Sequence, residues 1–471
     1  MSSSLAEFAP DRHYGAKVGA VEPGGAEVIP LAERHGGPLQ LLWTWTSPNM
    51  EFATIYVGAL GIIFGLSFWQ TFSAIVIGNV LGSLTHGVLS SWGPATGFCQ
   101  MVLSRRAFGF VGNWLPAGLN WLIAGIGWFA VNSVSGGFAL AALTGLNKYV
   151  SLTIVVVLML VLAYFGHNLI QLFERYAAPV LTLIFVVGGI VILTRAHVSA
   201  PGSGPFPGAW WVLLGATFGY AAGWNPYASD YTRYLPPGTG RMAGIWAAIG
   251  VLVSCVLLET FGAAAFNALG GHGPANPTDA YTSVLPDWLG KITLLGIALG
   301  AIAANALNVY SSALSFTAMG INIKAPSLRA IMAAVMGIAG FVVALIAMDN
   351  IASYEGFLLV IAYWIGPWLA VVLTDRLLRR TRPEELAYVD RGYQNWAGPI
   401  AMLVGTGLSI WLFSNQKFYT GLVPRHVPAI GDLTFEVGFV LAAVLYAALC
   451  KSLAQPIRTA ERRKVAEHEQ V

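Results

Sequence analysis

"WTSPNMEFATIYVGALG" (residues 45–61) and "LLGATFGYAAGWNPYASD" (residues 213–230) are apolar enough to enter a membrane, yet each is interrupted by helix-breaking residues. Pro48 lies in the first with Glu51 after it; Gly219, Gly223 and Pro226 lie in the second. Proline removes a backbone donor and clashes with the preceding turn, and glycine tolerates unwound chain. Inside a bilayer such interruptions are stable only where the freed backbone groups line an enclosed cavity. The two segments are the first and sixth of twelve apolar runs, so they occupy equivalent places if the first ten helices form two inverted halves of five. That pairing points to a transporter binding site at mid-membrane, where half-helix ends and exposed carbonyls meet substrate and ion.

The twelve runs cover residues 42–61, 64–85, 113–144, 151–165, 176–194, 210–229, 243–266, 290–317, 328–347, 351–374, 397–415 and 433–450. A run of about 20 apolar residues crosses a hydrocarbon core. Of 471 residues, 56% are apolar and 10% charged, and the mean hydropathy is +0.66. These values place the chain among membrane proteins. The predicted fold class is an all-α polytopic membrane protein with twelve transmembrane helices, a 5+5 inverted-repeat core and two additional C-terminal helices. The predicted division is an N-terminal tail (1–40), the ten-helix core (41–375), a loop (376–396), the two extra helices (397–450) and a C-terminal tail (451–471).

Charge orients the chain. With both tails inside, the inner loops hold Arg105, Arg106, Arg175, Arg233, Arg241, Lys324, Arg329, Arg376, Arg379, Arg380, Arg382 and Arg391, against Lys148, Arg195, Lys291, Lys417 and Arg425 outside. This follows the positive-inside bias and predicts cytoplasmic termini on a plasma-membrane protein. The first forty residues mix charge, Gly and Pro without the pattern of a signal peptide. Cys99, Cys255 and Cys450 are too far apart for a disulfide framework or paired metal ligands. The longest external connection, about 267 to 289, is too short for a catalytic domain, so function resides in the helical bundle. A membrane enzyme would need a converging set of acid, base or metal ligands, and the sequence offers none. A channel suits interrupted helices less well than an alternating closed site.

Inside the bundle, "WFAVNSVSGG" (128–137) puts Trp128 and Asn132 one turn apart on one face, extended by the small residues Gly125 and Gly136. The indole suits one wall of a slot for a flat ring, and the amide suits its hydrogen-bonding edge. Trp224 suits the opposite wall. In "ALGAIAANALNVYSSALSF" (298–316), Asn305, Asn308 and Ser312 share a face with Ser311 adjacent, a set able to bind a polar substrate edge and a small cation through oxygen. Three acids are costly at membrane depth. Glu259 is the candidate for a proton-binding or network-organising group. Glu51 is expected to be partly solvated at the first break, and Asp230 to pair structurally with Arg233. His86 and His167 are expected at the interfaces.

With these residues in view, the chain resembles the nucleobase-cation symporter family 1, purine-cytosine permease-like branch. The resemblance is carried by "SPNMEFA", "SSWGPATGFCQMVLSRRAFG", "NWLIAGIGWFAVNSVSGG", "GYAAGWNPYASDYTRYLP", "AANALNVYSS" and "YWIGPWLAV", in order from residue 47 to residue 371. It implies a cation-coupled symporter importing a nucleobase such as cytosine by alternating access, within the inverted-repeat fold shared with sodium-coupled amino-acid transporters. It further implies that Trp128 and Trp224 sandwich the ring, that Asn132 and Asn305 bond its edge, and that Ser47 lines the pocket. The implied cation set joins first-helix carbonyls to Ser311 and Ser312, with Asn308 alongside. The coupling cation is Na+ or H+: the serines favour sodium, and Glu259 leaves a proton route open. No cofactor is expected, and no metal beyond transported sodium. The expected partners are a planar heterocycle, the cation and the lipid bilayer, with no nucleic acid and no obligatory protein. The chain departs from the branch near the pocket, with Ala304 before Asn305 where two asparagines are common, and Asn225–Pro226 where two threonines are frequent. Cytosine, adenine, hypoxanthine, uracil, a hydantoin, allantoin or a vitamin-like ring all fit an indole sandwich.

Overall fold

The computed structural model describes residues 17–19, 25–271, 277–321, 328–348, 351–379 and 385–456. Residues 1–16, 20–24 and 457–471 of the expected tails lie outside the described residues, as do 272–276, 322–327, 349–350 and 380–384, with Lys324, Arg380 and Arg382 among them.

The helices run in order as α1 (Gln40–Thr46 and Phe52–Ile63), α2 (Phe68–Ser90), α3 (Trp114–Thr144), α4 (Lys148–Phe165), α5 (His167–Arg195) and α6 (Ala209–Ala222 and Ala228–Thr232). There follow α7 (Gly240–Ala268), α8 (Asp287–Ala318), α9 (Leu328–Ala347), α10 (Ile351–Val360 and Ala362–Leu378), α11 (Ala397–Phe413) and α12 (Thr434–Leu453). Two paired two-residue strands, Asn415–Gln416 and Tyr419–Thr420, are the described exception to all-helical structure. α5 begins at His167, well before the expected 176. Its first two turns carry polar groups that the bundle buries; Gln171 Oε1, for example, accepts from Thr44 Oγ1 at 2.9 Å.

Both interruptions are real and have local causes. In α1, Ser47–Asn49 forms a single tight turn holding Pro48, and Met50 leaves the helical region. Glu51 is extended (φ −146°, ψ 177°), and its carboxylate accepts from the Ala53 and Thr54 backbone N–H groups at 2.8 and 3.3 Å. It caps the second half-helix, satisfying donors that have no intrahelical partner. In α6, Gly223 and Trp224 end the long half, and a turn at Asn225–Tyr227 containing Pro226 leads into the short half. α1 is short then long, and α6 long then short.

Small residues set the inner contacts. A methyl group at Gly58 of α1 would lie 1.8 Å from the Glu259 carbonyl oxygen, and one at Gly262 of α7 would lie 1.8 Å from the Ile55 carbonyl. The two backbones therefore touch, as small residues allow between membrane helices. Gly300 of α8 does the same for the α1 break, where a methyl group would lie 2.0 Å from Met50 O. Among the long apolar helices α8 is the most enclosed, whereas α4, α5 and α12 present Val161, Leu183 and Val444 outward, as lipid-facing surfaces do. Gly262→Val is expected to force α1 and α7 apart and cost about 1–3 kcal/mol or more. An unchanged melting temperature in detergent would refute that contact.

The inner part of the N-terminal tail is packed rather than free. Val28 is buried, Ile29 N–H donates to Gly97 O at 3.0 Å, Arg34 Nη1 to Pro94 O at 2.6 Å, and Arg233 Nη1 to Gly25 O at 2.9 Å.

Candidate functional site

Just ahead of Trp128, α3 relaxes into a π-helical turn, Ile123–Trp128. Such turns insert a residue and re-aim the side chains after it. Trp128 here faces the α6 break, and with Asn132, Tyr220, Gly223, Trp224, Tyr227, Ala304 and Asn308 it lines a narrow cavity. A methyl group at Gly223 would lie 3.5 Å from Trp128 Cζ2, so the indole packs directly on the backbone at the α6 break.

Each indole is held before any ligand arrives. Trp128 is gripped edge-to-face by Tyr220 (5.5 Å between ring centroids) and Phe357 (5.1 Å). Trp224 packs on Trp45 (5.7 Å), and its Nε1–H donates to Asn49 Oδ1 at 2.8 Å. Asn49 is fixed in turn by donating its Nδ2–H to Trp45 O at 2.7 Å. Rings fixed in this way lose little freedom on binding a flat ligand.

The amides form a chain whose polarity is settled by one backbone group. Phe129 O can only accept, so Asn305 presents Nδ2 to it (2.9 Å), with Ser133 Oγ at 3.1 Å on the same nitrogen. Asn305 Oδ1 therefore points the other way and accepts from Asn132 Nδ2 and Asn308 Nδ2, both at 3.1 Å. That leaves Asn132 Oδ1 and Asn308 Oδ1 buried without a partner. The cavity thus presents two carbonyl acceptors, suited to a ring with N–H donors.

The structure rearranges several of the expected roles. Asn308, expected with the cation, lines the cavity, while Asn305, expected at the substrate edge, sits behind it and orients its two neighbours. Ser47 is buried but lies off the cavity lining, at the turn of α1. Ser312 Oγ donates to Trp121 O of α3 at 3.0 Å. Ser311 and Ser312 lie eleven and twelve residues beyond Gly300, the α8 position that meets the Met50 carbonyl, or roughly 16–18 Å along the axis.

The acids also differ from expectation. Glu51 is 1% exposed rather than partly solvated, because Tyr220 O–H donates to it at 2.7 Å and α8 closes over it. Glu259 is buried between α7 and α2, where Asn79 Nδ2 donates to its Oε2 at 2.7 Å. Asp230 accepts from Gln100 N–H at 2.8 Å and lies within electrostatic reach of Arg233, which also donates to tail carbonyls and to Tyr234 and Tyr310 hydroxyls. Both histidines are buried within the bundle near helix ends. His86 packs on Trp45 at 4.2 Å, and His167 stacks on Tyr234 at 3.9 Å, because aromatic rings from neighbouring helices cover both.

Residues unrecognised in the sequence complete the site: Asn49 fixes Trp224, Tyr220 joins Trp128 to Glu51, and Glu174 on α5 is fully buried. "HNLIQLFERYAAP" carried a signal for Glu174, because helical periodicity continues through it; its polar residues read instead as loop.

Comparison with known proteins agrees with this architecture. The protein YxlA of Bacillus subtilis (strain 168) is 28% identical over 447 residues, covering 92% of this chain and 96% of that one. The purine-cytosine permease FCY2 of Saccharomyces cerevisiae is 29% identical over 450 residues, covering 85% of this chain and 80% of its own. The fold matches that of Mhp1, described as a nucleobase-cation-symport-1 family transporter in a closed conformation with bromovinylhydantoin bound. The TM-score is 0.74 at 21% identity, over 94% of this chain and 98% of that one. Residues 28–438 match the family described as "Permease for cytosine/purines, uracil, thiamine, allantoin", and this multi-pass membrane protein, with its two broken helices around an indole-walled cavity, belongs to that family.

Proposed function

We propose that the protein is a secondary active transporter, a cation-coupled symporter that imports a purine or pyrimidine nucleobase such as cytosine across the plasma membrane by alternating access, with both termini cytoplasmic. The observation that carries this reading is the pair of unpartnered amide oxygens, Asn132 Oδ1 and Asn308 Oδ1, set between two fixed indoles. A nucleobase offers a flat face to the indoles and ring or exocyclic N–H groups to the oxygens. A buried acceptor left unpaired costs about 1–3 kcal/mol, which makes the amides discriminating.

The test is uptake of radiolabelled cytosine by a nucleobase-transport-deficient host, with adenine, hypoxanthine, uracil, hydantoin, allantoin and pyridoxine as competitors. Trp128→Ala and Trp224→Ala, at unchanged surface expression, are each expected to lose about 1–3 kcal/mol of stacking, roughly fivefold to 150-fold in affinity. Among competitors, uracil is expected to exceed 1,3-dimethyluracil, which keeps the ring but has no N–H. Equal competition by the two would remove the amide-acceptor reading. Recognition of no heterocycle by a folded, surface-expressed protein would remove the substrate class.

A further inference from the structure

The Glu174 carboxylate is fully buried in the first third of α5, and neither of its oxygens has a hydrogen-bond partner. It faces the Ser47 hydroxyl of the α1 turn, which is likewise buried and without a well-formed hydrogen bond. On α1, Thr44 Oγ1 is committed to Gln40 O and to Gln171 Oε1. From the short half of α6, Tyr231 lies within electrostatic reach of Glu174. Among the described residues, no lysine, arginine or histidine is paired with Glu174, and no titratable side chain of α4, α7 or α8 is recorded against it. Glu51 has backbone N–H groups and Tyr220, Glu259 has Asn79, and Asp230 has Gln100 N–H; Glu436, in the first turn of α12, also lacks a hydrogen-bond partner but is only half-buried. A negative charge at Glu174 is thus left to be neutralised by something other than this chain.

We propose that Glu174 and Ser47 form the binding site of the coupling cation, so that the carboxylate comes from α5 and the eighth-helix serines take no part. Carboxylate and hydroxyl oxygens suit a hard monovalent cation, either a proton or Na+. The position also supplies a coupling route. Ser47, which faces the cation carboxylate, and Asn49, which fixes the Trp224 wall, belong to the same three-residue turn. A cation that draws Ser47 toward α5 biases the placement of Asn49 and hence of Trp224, and by reciprocity the heterocycle biases the cation.

This inference rests on the symporter reading, and its test separates the two. In proteoliposomes, radiolabelled cytosine accumulation is driven by an imposed pH gradient without sodium, or by a sodium gradient at equal pH. Whichever gradient drives the wild type names the cation. Glu174→Gln is expected to abolish that accumulation, with exchange of preloaded cytosine falling less. Should Glu174→Gln fail to fold, Glu174→Asp is expected to shift the apparent cation affinity by about tenfold or more. Accumulation that persists in Glu174→Gln, an unshifted affinity in Glu174→Asp, or a loss confined to Ser312→Ala would overturn the proposal. If the wild type carries no cytosine, the nucleobase reading fails, but the site is still tested by ²²Na+ binding and by the infrared C=O band of a protonated carboxyl. Loss of either signal in Glu174→Gln supports the site, and no difference from wild type in both overturns it.

Discussion

Asn305→Ala is expected to lower the affinity for the transported heterocycle more than removal of either cavity amide alone, although Asn305 does not line the cavity. Its Oδ1 is the shared acceptor for Asn132 Nδ2 and Asn308 Nδ2, and its own nitrogen is tied to Phe129 O. Without it both cavity amides lose the partner that turns their oxygens inward, and each freed amide rotates or stays unpaired. Two interactions of about 1–3 kcal/mol each correspond to roughly thirtyfold to twenty-thousandfold in affinity. Asn305→Asp separates orientation from bulk: the carboxylate still accepts from both neighbours but cannot donate to Phe129 O. It is expected to fall between wild type and alanine. Competition binding on purified protein measures both, and an alanine variant within threefold of wild type would show that the amides orient themselves.

The second large effect is on stability. Asp375, at the end of α10, is 2% exposed and sits between two arginines, with Arg106 Nε at 3.1 Å and Arg379 Nη2 at 2.5 Å. Tyr446 of α12 donates its O–H to the same carboxylate at 2.5 Å, and the two guanidinium groups also donate reciprocally to the Arg379 and Arg106 carbonyls. One carboxylate thereby joins the α2–α3 connection, the core helix α10 and the accessory helix α12. Asp375→Ala leaves two buried cations without their counter-charge, and breaking a buried pair in this way costs about 3–5 kcal/mol. The expected result is a large fall in the melting temperature of the detergent-solubilised protein, and low surface abundance. Tyr446→Phe, which removes one hydrogen bond and no charge, is expected to cost about 0.5–1.5 kcal/mol. If the two variants melt together, the ion cluster is not what fixes the accessory pair.

Much of this was legible in order along the chain. Apolar run length fixes the number of helices, because a bilayer admits no other way to satisfy a crossing backbone. Pro48, Gly223 and Pro226 mark the two breaks, since loss of a donor and freedom from a Cβ act locally. Trp128 and Asn132 share a helix face by spacing alone. The π turn that aims Trp128 was not legible, because no residue type compels it.

Partnership was decided only by the tertiary structure. Sequence spacing treats Asn305 and Asn308 as equivalent members of one helix face, yet α3 approaches so that Phe129 O captures one and leaves the other at the cavity. Glu174 and Ser47, 127 positions apart in the chain, meet because α5 crosses the turn of α1. Periodicity and breakers are properties of a few consecutive peptide units, and the sequence alone determines them. Which buried donor meets which acceptor depends on where helices cross, and that is set by contacts such as those at Gly58, Gly262 and Gly300, where packed backbones leave no other approach.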